Sequence, residues 1–534
     1  MMRTAFYNAN VYTADRDRPK TESFAVEDGR FCFVGSAAEL PECDERIDLG
    51  GACVIPGLID SHCHMFAGIM QTVADMLFVK QTVRPENLGE TLKSLLEESP
   101  TPDGKTITAM GIDLTVGDFS AVNIDCVFPD RPVQVFSFDG HALLLNTKAM
   151  ERLGLNRDTP DPSENSYYVR NDRGDPTGLV IEIEAMRPCK ALIKAPTPEE
   201  CYQALVQLAG AYSALGYTGL FEAMSFDDGN EDVLKALQKL DSEGGLPLRV
   251  STSFGYSGEE LLPIREVMSL MKRNRQQYNS GNVRHETLKM ITDGTVEEHS
   301  ALLWEPYADQ PENSGSENLT PEELCRAAKL AAEEGYSVHI HAIGDKAVTR
   351  ALDALCGLRC AGTKTIAHNQ LYKETDIRRM LDAGDIFFQT TPHWAVNDGY
   401  TLGYLGQERY GRQFRIGTMV RGGACVTFGS DSCLEPDTAD PFLGMFYACT
   451  RGNGELCSEE CLGPESETIG RLEALEAYTV NCARQMGLET ETGSIVSGKS
   501  ADFVITDRDV IGCPLGELRE AKAVQTWFRG NRVV

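Results

Sequence analysis

Two histidines and an aspartate alternate in the segment PGLIDSHCHM, residues 56–65. Asp60, His62 and His64 are spaced two residues apart, and residues with this spacing face the same side of a β-strand. Two imidazoles side by side on one strand are suited to binding a metal ion. Ordinary strand histidines are the alternative interpretation of this segment alone.

Polar residues with the same chemistry end three further apolar runs. His341 ends a run in YSVHIHAIGDKAV, His368 ends one in KTIAHNQL, and Asp431 ends one in ACVTFGSDSCLEP. If these runs are parallel strands of one barrel, their carboxyl ends meet at one rim, where catalytic residues lie. A shared metal centre explains the recurrence, whereas the alternative requires four separately satisfied polar residues.

A lysine lies inside another apolar run, ETLKMITDG. Lys289 has Leu288, Met290 and Ile291 as neighbours, and lysine is almost never fully buried unless it is paired. An ion pair with Asp293 or an extended side chain that reaches the rim would explain it. The other hypothesis is a carboxylated lysine, because an ammonium has no lone pair for a metal whereas a carbamate has two oxygens that can bridge two cations.

The elements that must position these residues follow a repeated order of helix, glycine and buried strand. Thr197 and Thr320 are each followed by proline and, three residues on, by glutamate, which predicts a helix start with a capping box. The order recurs more weakly at 375–391 and 416–431, and it is typical of α/β units with a parallel sheet. We predict a (β/α)8 TIM barrel, with an open doubly wound sheet as the alternative, although no nucleotide-binding glycine motif favours the latter.

The chain ends differ from the middle, because both are rich in short alternating strands and glycine turns. We predict a small β-sandwich built from residues 1–54 and 486–534, with the barrel occupying 55–485. Residues at about 70–195 fit neither pattern and are rich in Pro, Asp and Thr. We interpret them as an insertion after the first barrel strand, and we expect it to cover the site.

Composition limits the partners. The net charge of −30 argues against nucleic acid or an anionic membrane surface, and leaves a small-molecule substrate as the expected partner. The first twenty residues contain no apolar core of a secretory signal, and no apolar run approaches the ~20 residues of a membrane span. We therefore expect a cytoplasmic protein whose 17 cysteines are free thiols.

Taken together, these motifs resemble the amidohydrolase superfamily, and specifically its YtcJ-like branch (amidohydrolase family 3), the group of N-substituted formamide deformylases. The resemblance covers nearly the whole chain and includes GACVIPGLIDSHCH, VQVFSFDGHALLLNTKAM, GDPTGLVIE, EALEAYTVNCARQMGL and GSIVSGKSADFVITD. It implies a barrel beside a β-sandwich made from both chain ends, in agreement with the pattern of elements. It also leaves a homodimer open.

The resemblance implies a site as well as a fold. One or two divalent ions are implied, with zinc expected, and two if Lys289 is carboxylated. The implied metal ligands are His62, His64, Lys289, His341, His368 and Asp431. We interpret His339 as barrel core or as a neighbour of these ligands, and we leave His285 and His299 as loop or surface residues whose role is unassigned.

The residues expected to act on substrate depend on the resemblance. Asp431 is expected to be catalytic, taking a proton from the attacking water and passing it to the leaving nitrogen. His141 is expected to donate to the substrate carbonyl. Glu182, His393 and Trp394 are expected to bind substrate.

The predicted reaction is hydrolysis of the carbon–nitrogen bond of a small N-acyl or N-formyl amine by a hydroxide that the metal generates from water. This bond is an amide other than a peptide bond. The alternatives are a cyclic amidase or a deaminase of the same superfamily, and a non-catalytic binding or regulatory homologue.

Overall fold

A computed structural model describes residues 2–80, 82–102, 104–138, 140–164, 166–193, 196–225, 231–433, 438–452 and 461–534. The chain divides into two compact units. The first consists of Met1–Gly68 and Leu205–Val534, and the second of Ile69–Ala204.

An eight-stranded parallel sheet forms the centre of the first unit. Backbone hydrogen bonds from Asp431 N to His62 O (2.7 Å) and from His64 N to Ser432 O (2.9 Å) bring the end of the last strand to the first. The sheet is therefore barrel-like, and the predicted (β/α)8 architecture is confirmed. Its strands are β1 (Leu58–Cys63), β2 (Tyr217–Ser225), β3 (Arg249–Tyr256), β4 (Val283–Ile291), β5 (Ser337–Ala342), β6 (Lys364–His368), β7 (Ile386–Thr390) and β8 (Val426–Phe428).

Helices alternate with these strands, and the predicted capping boxes set two of their starts. Thr320 Oγ1 accepts from the Glu323 amide (3.3 Å) while Glu323 Oε2 accepts from the Thr320 amide (3.1 Å). The Thr197 and Glu200 pair makes the same two bonds, at 3.3 and 2.8 Å. The helices are Met65–Val73, Pro198–Ala214, Glu231–Ser242, Ile264–Tyr278, Pro321–Glu333, Asp345–Leu355, Glu374–Ala383, Thr401–Tyr410, Ile416–Arg421, Pro441–Thr450, Arg471–Ala477, Val480–Gln485 and Leu515–Leu518.

Two smaller sheets of the first unit share an aromatic core. Phe24 of one sheet contacts Phe503 of the other with ring centroids 4.9 Å apart, and Phe6 contacts Trp527 in the same way at 5.2 Å. One sheet takes strands from both chain ends, so the predicted sandwich is confirmed. The strands are Thr4–Tyr7, Ser23–Glu27, Arg30–Gly35 and Glu45–Asp48 in one sheet, and Asn10–Tyr12, Lys20–Thr21, Cys53–Pro56, Phe503–Thr506, Ala523–Phe528 and Asn531–Arg532 in the other.

The second unit has its own mixed sheet of six strands. Buried aliphatic side chains such as Ile107, Val133 and Leu144 form its core. Its strands are Leu77–Phe78, Ile107–Ile112, Val133–Ser137, Ala142–Leu145, Tyr167–Arg170 and Pro176–Ile181, and its helices are Leu88–Glu98, Val122–Asp125, Thr147–Leu153 and Ile183–Met186. Across the described parts of both units, no helix combines the length and apolar character that crossing a bilayer requires.

Candidate metal centre

The carboxyl ends of the barrel strands bring most of the predicted ligands together. His62 is in β1, Lys289 in β4 and His341 in β5, while His368 is the last residue of β6. Parallel strands place these ends at one rim. His62, Lys289 and His368 are at most 2% exposed, so this rim is a closed polar cluster.

Asp431, just after β8, lies at the centre of the cluster. Its Oδ1 is 3.2 Å from His62 Nε2 and 3.0 Å from His64 Nε2, and its Oδ2 is 3.8 Å from His368 Nδ1. Burial raises the pKa of this carboxyl, but its electrostatic interactions with His368, His64 and Lys289 and the hydrogen bond from His64 outweigh burial, and the pKa falls to about 2. Asp431 is therefore an ionised carboxylate near neutral pH.

The backbone is strained at two of the predicted ligands. Asp431 has φ = 54° and His368 has φ = 71°, in the left-handed region that side-chain-bearing residues seldom adopt. Strain of this kind is found where the surrounding structure holds a functional side chain in place. Here it turns the chain at the ends of β6 and β8.

Lys289 points into the same cluster. Its Nζ is 3.4 Å from His62 Nε2. Lys289 does not form the ion pair with Asp293 that was one of the two simpler interpretations. The Asp293 carboxylate instead accepts hydrogen bonds from the backbone amides of Leu302, Ile343 and Gly344 at 2.8–3.1 Å. Burial lowers the pKa of Lys289 to about 7, so near neutral pH this side chain is a neutral amine in a large fraction of the protein molecules.

His341 and His368 contact each other, with ring centroids 4.3 Å apart. The Nε2 of His341 lies 3.5 Å from Asp293 Oδ1. Both ring nitrogens of His368 are buried without a hydrogen-bond partner from the described part of the chain. The indole of Trp394 stacks on the His368 ring at 5.5 Å and 10°.

The chemistry of this donor set fits a divalent metal. His62, His368 and Asp431 each offer one ligand atom, and these atoms all lie within 4.8 Å of one another. Burial first, and then neighbouring positive charge, holds the pKa of His62 and His368 well below the usual value, so both are in the neutral form that binds metals. A cation would also satisfy one of the two orphaned nitrogens of His368, whose burial is otherwise costly.

The other predicted residues have different surroundings. His141 and Glu182 belong to the second unit and contact each other, with His141 Nδ1 3.2 Å from Glu182 Oε2 and with Glu182 strained at φ = 68°. His393 donates from Nε2 to the carbonyl of Asp440 (2.9 Å). Its neighbour Trp394 contacts a predicted metal ligand, His368, whereas the described contacts of His393 include none.

Two residues differ from the sequence interpretation. His285 is not in a loop, because β4 begins at Val283; it is 6% exposed and hydrogen-bonded to Thr252. Glu222 in β2 was missed. Glu222 is fully buried, and its Oε2 accepts a hydrogen bond from the Phe66 backbone amide (2.8 Å). Burial raises the pKa of the Glu222 carboxyl to about 7. An acid inside the apolar run GLFEAM was the available signal, of the same kind as Lys289 in its strand.

Comparison with known proteins places the whole chain among hydrolases. The model of the amidohydrolase family matches residues 45–534. The putative amidohydrolase YtcJ of Bacillus subtilis (strain 168) is 27% identical over all of this chain and 99% of its own length. The N-substituted formamide deformylase of Arthrobacter pascens is 25% identical over 98% of this chain and 96% of its own. Among solved structures, an uncharacterized metal-dependent hydrolase from Pyrococcus horikoshii OT3 superposes with a TM-score of 0.75 at 25% identity, covering 96% of this chain and 99% of that one.

Proposed function

The chain belongs to the amidohydrolase family and is a metal-dependent hydrolase of that superfamily, and we propose that it hydrolyses the amide bond of a small N-acyl or N-formyl amine. The observation that carries the proposal is the buried cluster of an ionised Asp431 with neutral imidazoles and Lys289. The full-length similarity to a formamide deformylase supports the choice of bond.

The proposed ligands could hold either one metal ion or two. His62, His64, His341, His368 and Asp431 would hold a divalent metal, with zinc expected because imidazole and carboxylate are its usual ligands. Lys289 adds a second ion if its amine is carboxylated. Its burial beside His62 supports this, because a neutral amine is the form that reacts with carbon dioxide.

A divalent ion bound here supplies Lewis-acid polarisation of the carbonyl oxygen and a water nucleophile at neutral pH. Asp431 does the proton transfer, because its low pKa keeps it ionised and its two oxygens face imidazoles at the ends of two strands, β1 and β6. It takes the proton of the attacking water and delivers it to the leaving nitrogen, which must be protonated before an amine can depart. The buried setting excludes competing water, which strengthens each of these electrostatic contacts.

Four side chains are the proposed substrate contacts, two in the second unit and two in the first. His141, paired with Glu182, donates to the substrate carbonyl as negative charge develops on its oxygen. Trp394 offers an apolar face next to His368. His393 is retained as a substrate-binding proposal, although its ring N–H is already bonded to Asp440.

The first experiment is metal analysis by inductively coupled plasma mass spectrometry on protein purified without chelator. Lys289→Ala is compared with Lys364→Ala, a buried lysine of β6 that pairs with Asp385 (2.6 Å) and donates to backbone carbonyls instead. About two zinc ions per wild-type chain, reduced only by Lys289→Ala, would support a bridged pair. About one zinc ion, unaffected by either change, would make Lys289 structural.

A substrate panel then separates the chemical alternatives. N-formyl and N-acyl amines should release a carboxylic acid and an amine, whereas a deaminase would release ammonia from an aromatic amine and a cyclic amidase would open a ring. Zinc-loaded protein that turns over only the latter two classes would reject the proposed bond. Protein that binds no metal, even after zinc and bicarbonate are added, would support the non-catalytic alternative.

A further inference from the structure

His339 lies in the barrel interior directly beside one predicted ligand. It is in β5, two residues before His341 and opposite Lys289 in the strand register. It is 1% exposed, and its Nε2 lies 3.0 Å from Nδ1 of His62. The ring of Phe221 stacks on it at 4.7 Å and 21°, which holds the plane of the His339 imidazole.

The two nitrogens of His62 therefore have different surroundings. Nε2 faces the donor set, 3.2 Å from Asp431 Oδ1 and 3.4 Å from Lys289 Nζ. Nδ1 faces His339. A neutral imidazole has one N–H and one lone pair, and only the lone pair binds a metal. If His62 binds through Nε2, its proton must be on Nδ1, where it requires an acceptor.

We propose that His339 is a positioning residue that holds His62 in its metal-binding tautomer. The lone pair on His339 Nε2 accepts the Nδ1–H of His62, which leaves His62 Nε2 available to the metal. The inference rests on the proposed function, since it presupposes a bound ion.

The opposite direction of this hydrogen bond would have the opposite effect. With the proton on His339 Nε2, His62 Nδ1 becomes the acceptor and a neutral His62 carries its proton on Nε2, which blocks that ligand. The direction of one hydrogen bond between two buried imidazoles thus decides whether His62 binds. Histidine ligands in general depend on a partner of this kind at the second ring nitrogen, and removing the partner weakens metal binding about 10–100-fold.

The test uses three variants of the full chain. His339→Leu removes the acceptor, and His339→Gln restores one through its amide oxygen. His285→Leu is the matched control, because His285 is also a buried strand histidine but contacts Thr252 rather than the donor set. Zinc affinity is measured by competition with a chromophoric chelator, and the melting temperature of each metal-free protein is measured by calorimetry.

We expect His339→Leu to bind zinc about 10–100-fold more weakly, His339→Gln to recover most of that loss, and His285→Leu to bind zinc as the wild type does. Unchanged affinity in His339→Leu, with a melting temperature lowered as in His285→Leu, would make His339 a packing residue and overturn the proposal. Equal losses in the Leu and Gln variants would also overturn it, since an acceptor would then make no difference.

A second measurement needs no variant and covers the case in which His339→Leu does not fold. Long-range ¹H–¹⁵N spectra of zinc-loaded wild type with labelled histidine report which nitrogen of each ring is protonated. A His62 signal from the Nδ1–H tautomer is expected, and an Nε2–H signal would reject the proposal. Wild type that holds no zinc would reject the proposed function together with this inference, whereas zinc-loaded wild type with the wrong tautomer would reject the inference alone.

Discussion

Replacing His368 with leucine should affect the metal-free and the zinc-loaded protein in opposite directions. His368 is 2% exposed, and both its ring nitrogens lack a hydrogen-bond partner from the described chain. Each unsatisfied buried polar group costs about 1–3 kcal/mol. Leucine removes both polar atoms, so the metal-free protein gains roughly 2–6 kcal/mol from this change.

The gain is offset by lost ring contacts. His368 contacts the rings of His341 (4.3 Å), His62 (4.8 Å) and Trp394 (5.5 Å). At about 0.5–1.5 kcal/mol each, these contacts contribute roughly 1.5–4.5 kcal/mol. The midpoints of these two ranges, about 4 and about 3 kcal/mol, leave a net gain of about 1 kcal/mol. We therefore expect the metal-free variant to melt about 1 °C above wild type, for a chain of this length that unfolds in a single transition.

Calorimetry of chelator-treated and zinc-saturated samples measures both effects. Zinc at a hundredfold excess over its Kd should stabilise wild type by about 2.7 kcal/mol, or about 2–3 °C, and should leave His368→Leu unchanged. His393→Leu is the control, because it removes the donor to the partly buried Asp440 carbonyl and should lower both melting temperatures equally. A metal-free His368→Leu that melts well below wild type and still responds to zinc would refute the argument.

Three further predictions concern the reaction, a helix start and a buried ion pair. Asp431→Asn should lower kcat by about 10²–10⁴-fold, because the carboxamide of asparagine cannot take the proton of the attacking water. The rate is measured on the substrate that the panel identifies, and a loss under tenfold would exclude Asp431 as the base. Thr320→Ala should lower the free energy of unfolding by about 1 kcal/mol without changing zinc content, since it removes the acceptor of the Glu323 amide; a change in zinc content would show that the helix start affects the site. Burial raises the pKa of Glu467, but the hydrogen bonds to this carboxylate and the charge of Arg415 outweigh burial and leave the pKa below its usual value. The ionised Glu467 therefore stabilises the folded protein at pH values above the pKa of the unfolded state, and this stabilisation is lost as the pH falls through the pKa of the folded state. The melting temperature of Glu467→Gln should therefore lie below that of wild type at pH 7, and the gap should close as the pH falls below the usual pKa of a glutamate. A gap independent of pH would contradict this ion pair.

Local features of the fold could be predicted where neighbouring residues carry the information. The helix starts at Thr197 and Thr320 follow from capping boxes, whose two hydrogen bonds join residues only three positions apart. The spacing of His62 and His64 follows from the period of a strand. His285 was misassigned because the polar run before it, QQYNSGN, hides where β4 begins.

Individual side-chain contacts were harder to predict than the elements that carry them. His393 and Trp394 are adjacent in a short turn, yet one hydrogen-bonds to Asp440 and the other stacks on His368. Lys289 was correctly recognised as anomalous, but its neighbour is His62 rather than the nearby Asp293. Both outcomes depend on where strands of the closed sheet approach one another, which sequence spacing does not specify.

The sequence by itself determined the order of elements, the barrel class and the residue types at each strand end, because caps, strand period and buried runs are local properties of the chain. Only the tertiary structure decided that Asp431 lies between His64, 367 positions away, and His62, and that His339 meets Nδ1 of His62 rather than solvent. The physical reason is that closing a parallel sheet joins residues by strand order and register, and the free energy that selects this closure comes from burial across the whole barrel rather than from any one segment.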